Sequence, residues 1–152
     1  MRRSSKHPQT GFSLIEAMVS LVVVSVGMIG IAALYGQGLG AGRTALYRTQ
    51  AVNLAADMAD RIRVNRLGGA SYNGPAANNN CDPPAAVTCT PAQMAAHDLW
   101  VWTNQVIQQL PNGAGQVQVA ATAPPTYTIT VLWQETGLGP TNYVLAIRVP
   151  NL

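Results

Sequence analysis

Charge is scarce in this chain. Asp, Glu, Lys and Arg make up 10% of the 152 residues, while apolar residues reach 48%. The basic balance is thinner than the pI of about 9.2 suggests. Arg2, Arg3 and Lys6 carry the whole formal excess of +3. Beyond residue 11, Arg43, Arg48, Arg61, Arg63, Arg66 and Arg148 are matched in number by Glu16, Asp57, Asp60, Asp82, Asp98 and Glu135. That balance leaves no basic footprint for a phosphate backbone, so no nucleic-acid partner is expected.

Histidine and cysteine are nearly absent. His7 lies in the N-terminal leader, which leaves His97. His97 and Asp98 would suggest a base with an orienting carboxylate, but adjacent helical side chains do not face each other. Nothing supplies a nucleophile elbow, a phosphate loop or a carboxylate cluster. No catalytic residue, cofactor or enzymatic activity is expected. Cys81 and Cys89, in a stretch rich in Asn, Pro and Ala, match no common zinc spacing and cannot fill a tetrahedral site alone, so no metal is expected. They are either a disulfide of an oxidising compartment or a pair of buried thiols. The membrane segment upstream favours the disulfide, whose short loop would contribute about 2.5 kcal/mol on the chain-entropy model.

What the chain does have is one long apolar run. The 19 residues Ala17 to Tyr35 are uncharged, and as a helix they would extend about 28 Å, close to a bilayer core of about 30 Å. The leader MRRSSKHPQTG places positive charge ahead of the span, which favours sending the remainder across the membrane. Three readings fit such a segment. A secretory signal would be cut after the run, near GLGAG at residues 38–42. A signal anchor would stay uncut. A third possibility is a leader cut before the run, between Gly11 and Phe12.

GFSLIE, followed by the apolar run, resembles the processing site of type IV prepilins and pseudopilins. Gly11 matches the residue before the cut, Phe12 the residue that becomes N-methylated, and Glu16 the fifth mature position. The resemblance implies a precursor cut by prepilin peptidase and a mature chain packed into a filament through its apolar helix. It also gives Glu16 a purpose. A lone carboxylate at the centre of an apolar core costs about 2.5–3.5 kcal/mol even on lenient insertion scales, and Glu16, near the membrane surface at the start of the helix, costs less. Unpaired, it would snorkel to the headgroups. Pairing with the N-terminal amine of a neighbouring subunit's Phe12 would recover that cost and fix axial register.

Gly36, Gly38, Gly40 and Gly42 follow the span and weaken the helix by roughly 3–4 kcal/mol against alanine. Ala32, Gly36 and Gly40 share one face, where a neighbouring helix could approach closely. The zone reads as a deformable part of one long helix, or as a plain linker. No proline occurs between Pro8 and Pro75, so any loosening there comes from glycine.

Tyr47, Ala51, Leu54, Ala55, Met58 and Ile62 recur at helical spacing, Asp57 and Arg61 stand four apart, and Gly68-Gly69 is expected to end that helix. AVNLAADMADRIRVNR resembles the equivalent region of PilV-type minor pilins, with Asp60, Arg61, Arg63 and Asn65 at the matching positions. These charges read equally as a partner contact or as a solvated face. Residues 70–90 read as a loop. Thr90-Pro91-Ala92-Gln93 then has N-cap and capping-box character. The helix after it keeps Ala95, Leu99, Trp102, Val106 and Leu110 on one side, and Trp100, Trp102 and Trp133 read as core or interface. Three alternating strands follow, carrying Val117, Val119 and Ala121, then Tyr127, Ile129, Val131 and Trp133, then Tyr143, Leu145, Ile147 and Val149. The closing YVLAIRV again resembles PilV-type proteins.

The expected fold is α+β and pilin-like: a long N-terminal helix packed on a small antiparallel sheet, with an additional helix. The expected divisions are a leader over 1–11, a membrane and filament-core helix over 12–42, and a periplasmic head over 43–152. Resemblance implies an inner-membrane precursor that ends in the pilus fibre. Its expected partners are prepilin peptidase, other minor pilins, the major pilin, an inner-membrane assembly platform and a tip adhesin. A type II secretion pseudopilin and a periplasmic binding domain on a signal anchor are the alternatives.

Overall fold

The computed structural model describes residues 11–82, 87–135, 137 and 139–150. The leader, apart from Gly11, lies outside them. Helix α1 spans Leu14–Val64, a 3-10 helix spans Arg66–Asn73, and α2 spans Pro91–Gln109. Strands β1 (Ala114–Ala120), β2 (Thr126–Glu135) and β3 (Gly139–Arg148) complete the order. The boundary between two compact units falls between Gly42 and Arg43, within α1. The pilin-like α+β arrangement is therefore present.

In the first unit α1 is helical through all of its glycines. Its large apolar side chains from Leu14 to Leu39 are exposed. One stretch of this helix reaches a mean hydropathy of 2.5, long and apolar enough to cross a membrane.

In the second unit the C-terminal part of α1, α2 and the sheet enclose one core. Ala51, Leu54, Ala55, Met58 and Ile62 supply the α1 face, as their spacing predicts, and Tyr47 packs at its edge. Helix α2 starts on the expected capping box: Thr90 accepts from the Gln93 N–H, and the Gln93 side chain accepts from the Thr90 N–H. Two orphan helix-end donors are thereby satisfied. Ala95, Leu99, Trp102, Val106 and Leu110 are all buried.

The sheet is an antiparallel meander in the order β1-β2-β3. Val117 lies opposite Ile129, and Ile129 opposite Leu145. Tyr127, Ile129, Val131 and Trp133 point to the core at the period of two that defines a strand. Gly115 is required by packing, since a Cβ there would collide with the ring of Trp102.

Three boundaries differ from expectation. Strand β3 ends at Arg148, so Val149 lies beyond the strand although it is buried. Helix α1 ends at Val64 rather than at Gly68-Gly69. Asn65 leaves helical space at φ −102° and ψ 58°, and its amide donates to the Tyr72 hydroxyl and the Pro91 carbonyl. The chain then tightens into the 3-10 helix, with Gly69 at φ 45° supplying a left-handed step that favours glycine. The stretch from residue 70 is thus not all loop, and it places Tyr72 in the core. Strand β1 stops at Ala120, because Thr122 turns back to the Ala120 carbonyl at 2.8 Å, so Ala121 lies outside it.

Candidate functional site

Gly11, Phe12 and Ser13 precede the helix in non-helical conformation and are exposed. The Gly11–Phe12 peptide bond therefore lies in an exposed segment outside the helical hydrogen bonds of α1. The Ser13 carbonyl accepts from the N–H groups of Glu16 and Ala17 at 3.0 and 3.3 Å, which starts α1. Glu16 sits in the first turn, where a carboxylate is favoured by the helix dipole. Around it every large side chain is apolar and exposed, including Phe12 at 86% and Leu14 at 79%. Farther along, a Cβ placed on Gly36 or Gly40 would meet nothing within 4 Å. The subunit's own packing therefore does not demand glycine at either position.

The charges of the head are organised inward. Arg61 donates from Nε to Asp57 at 3.0 Å and from Nη1 to Asp98 at 3.3 Å. Asp98 is buried and also accepts from the Tyr72 hydroxyl at 2.7 Å. Burial, and then the hydrogen bond and charge of Asp98, hold the Tyr72 phenol well above its ordinary range. Arg61 thus ties α1 to α2 inside one chain. Asp60 and Arg63 instead pair on the exposed surface at 2.6 Å.

His97 is 3% exposed. Its Nδ1 accepts from the Asn79 N–H at 3.3 Å, so Nε2 carries the proton and donates to Asp82 at 2.9 Å. This histidine fastens the loop before α2, and Asp98 faces elsewhere, as the helical geometry requires. The same loop is closed by the Cys81–Cys89 disulfide, with Cα atoms 5.9 Å apart. Trp102 and Trp133 are buried in the core. Trp100 is partly exposed and stacks on His97 with ring centroids 6.0 Å apart.

Glu135 occupies the next inward position of β2 after Trp133 and is buried. Thr44 donates to it at 2.6 Å and the Trp133 indole at 2.9 Å. Those two hydrogen bonds, Thr44 first, lower its carboxyl below the usual range. A depressed folded pKa contributes stability above the unfolded value of about 4.3, and this contribution is lost as pH falls through the folded value. Acid titration of stability should show that loss in the wild type. Glu135→Gln should flatten the curve below about pH 4.3. An unchanged acid limb in the variant would mean that Glu135 is not the group responsible.

Two family models match the chain. Residues 6–32 match the prokaryotic N-terminal methylation motif. Residues 33–100 match type IV pilin Tt1218, so the two matches run without a gap through α1 and into α2. The chain belongs to the type IV pilins. No curated protein and no solved structure matches it. Pilins are structural proteins. This pilin is processed by prepilin peptidase from a membrane-anchored precursor and assembles with other pilins. Membership sets aside the signal-anchored binding domain and the signal cut near residue 40.

Sequence reasoning reached the methylation motif, the disulfide and the Asp57–Arg61 pair. It missed the burial of Tyr72 and the inward roles of Asp98 and Glu135. Parity alone could have found Glu135, since it continues the Tyr127, Ile129, Val131, Trp133 alternation. Tyr72 stands among glycines with no periodic partner, so nothing local marks it.

Proposed function

We propose that this pilin is a minor pilin of PilV type that helps to prime type IV pilus assembly at or near the tip. The observation that carries the assembly role is the exposed apolar helix bearing one carboxylate, Glu16, in its first turn. An apolar surface of that extent has two available environments, lipid tails and other such helices, and lateral packing moves it from one to the other. The PilV assignment rests on the likeness of residues 51–66 and of the final strand. The head, from residue 43 onward, is periplasmic in this reading, and the Cys81–Cys89 disulfide fits an oxidising compartment.

Cleavage falls after Gly11, leaving Phe12 as the methylated N-terminus and residues 12–42 as the filament-core segment. Glu16 pairs with the Phe12 amine of a neighbour, while Ala32, Gly36 and Gly40 form the close-approach face. Open space at both glycines leaves room for an adjacent helix. Asp60 and Arg63 remain at the surface and available to a partner subunit; the major pilin, other minor pilins, the assembly platform and a tip adhesin complete the set. With Glu16→Ala, membrane insertion should be normal, while incorporation relative to the membrane pool falls by about tenfold, equivalent to about 1.4 kcal/mol. Normal incorporation would remove Glu16 from the register role.

A clean deletion tests the proposal. Loss of pili and of twitching motility is the expected result. Retained pili with lost protein secretion would move the subunit to a type II secretion pseudopilus, which shares the motif and the helix.

A further inference from the structure

The head pairs its described carboxylates internally and leaves four of its six arginines outside any ion pair, although the charge of Arg48 still acts on Glu135. Its five side-chain carboxylates all have partners: Asp57 and Asp98 hold Arg61, Asp60 holds Arg63, Asp82 holds His97, and Glu135 holds Thr44 and Trp133. Among the described residues, Arg43, Arg48, Arg66 and Arg148 have no carboxylate within ion-pair distance.

Arg48 lines a cleft of about 420 Å³ with Val52, Trp133, Thr141, Asn142 and Tyr143. The last three are consecutive residues of β3. Side chains of a strand alternate between faces, so a cleft that touches three in a row runs along the strand's edge. Among the described residues that edge is open: β3 pairs with β2 alone. Among the described residues, the backbone groups of β3 make no bond to a turn or loop. Its register with β2 is unbroken from Gly139 to Arg148, so no bulge twists the edge away. From Gly139 to Ile147 it carries no charge, and Pro140 at one end is its sole blocking residue. Protected edges ordinarily carry charges, bulges or proline along their length. The opposite edge strand, β1, lies against the 3-10 helix and α2.

We infer that the β3 edge docks an extended segment of a different protein chain as a fourth strand, with a carboxylate of that segment reaching Arg48. An unpaired strand edge is recognised by backbone hydrogen bonds, which select an extended polypeptide, and side-chain contacts then set specificity. Arg48 selects an acidic residue at one end. Arg148 stands six residues beyond Asn142, roughly 20 Å along the strand, and favours a second acid there. A second copy of this chain is the weaker donor, because its surface carboxylates Asp57, Asp60 and Asp82 would each have to leave an internal partner, Arg61, Arg63 or His97. The inference rests on the head alone and holds for either pilin assembly.

The test places the photo-cross-linker p-benzoylphenylalanine at Asn142 in the full-length protein, irradiated in its native envelope, with the cross-linked peptide mapped by mass spectrometry. The expected product joins Asn142 to an Asp- or Glu-bearing segment of another protein. Arg48→Glu should reduce its yield at least about tenfold, while Arg48→Lys retains most of it. Equal hydrogen exchange in β2 of both variants establishes that the head is still folded. Three results would overturn the inference: a cross-link to a second copy, no protein cross-link, or a heterologous cross-link indifferent to Arg48→Glu. A segment belonging to a secretion protein would support the docking edge while sinking the pilus reading.

Discussion

Trp102→Ala should destabilise the head by about 3–5 kcal/mol, the range for removing a large aromatic side chain from a packed core. Trp102 has no exposed surface, and its indole N–H donates to the Leu54 carbonyl of α1 at 2.8 Å. Its ring also lies directly over Gly115 of β1. One side chain therefore joins α2 to both α1 and the sheet, and no neighbour can fill the space it leaves without moving a backbone. Hydrogen exchange at the β2 amides of Ile129 and Val131, in the full chain in detergent, should accelerate by a hundredfold or more, matching about 3 kcal/mol. Trp102→Phe, which keeps an aromatic ring and loses the hydrogen bond, should cost far less. Gly115→Ala is damaging on its own because of the ring, and should become nearly neutral in the Trp102→Ala background. Additive effects of that pair would contradict the packing described.

Asp98→Ala should cost about 3 kcal/mol. The carboxylate is buried and serves two donors from different elements, Arg61 of α1 and Tyr72 of the 3-10 helix. Its removal strands part of a guanidinium and a buried phenol. Arg61 keeps Asp57, which holds the loss below that of a fully isolated buried charge. Asp98→Asn retains an acceptor for Tyr72 and should lose roughly half as much. In a cycle with Tyr72→Phe, the coupling should be about 1–2 kcal/mol. Zero coupling would show that the 2.7 Å contact contributes nothing to stability. The urea midpoint, followed by hydrogen exchange in β2, reads both quantities.

The sequence was informative where the controlling physics is periodic or local. The Tyr127 to Trp133 alternation fixes which face of β2 is buried, because a strand has a period of two. Thr90 and Gln93 announce the start of α2, because the capping box is contained within four residues. The run after Glu16 identifies a membrane-length helix from composition alone. It was uninformative where partners come from distant elements. Asp98 reads as half of an idle His-Asp pair until the fold brings Arg61 and Tyr72 to it. Arg61 reads as a surface charge until the same contact draws it inward. The end of α1 was misplaced for a related reason: Asn65 is pulled out of the helix by Tyr72 and Pro91, which lie outside the local window. In the first unit a Cβ on any glycine of α1 would meet nothing within 4 Å, so packing within the subunit does not account for them.

Processing at the N-terminus is the claim on which the assembly role depends, and the mass of the mature protein tests it most directly. Intact-mass and N-terminal peptide mass spectrometry on the protein from its native membranes should find a chain that begins at Phe12 and carries one methyl group on its amine. A chain that retains the leader, or one that begins near Gly40, would contradict the account: Glu16 would then have no neighbouring Phe12 amine to pair with.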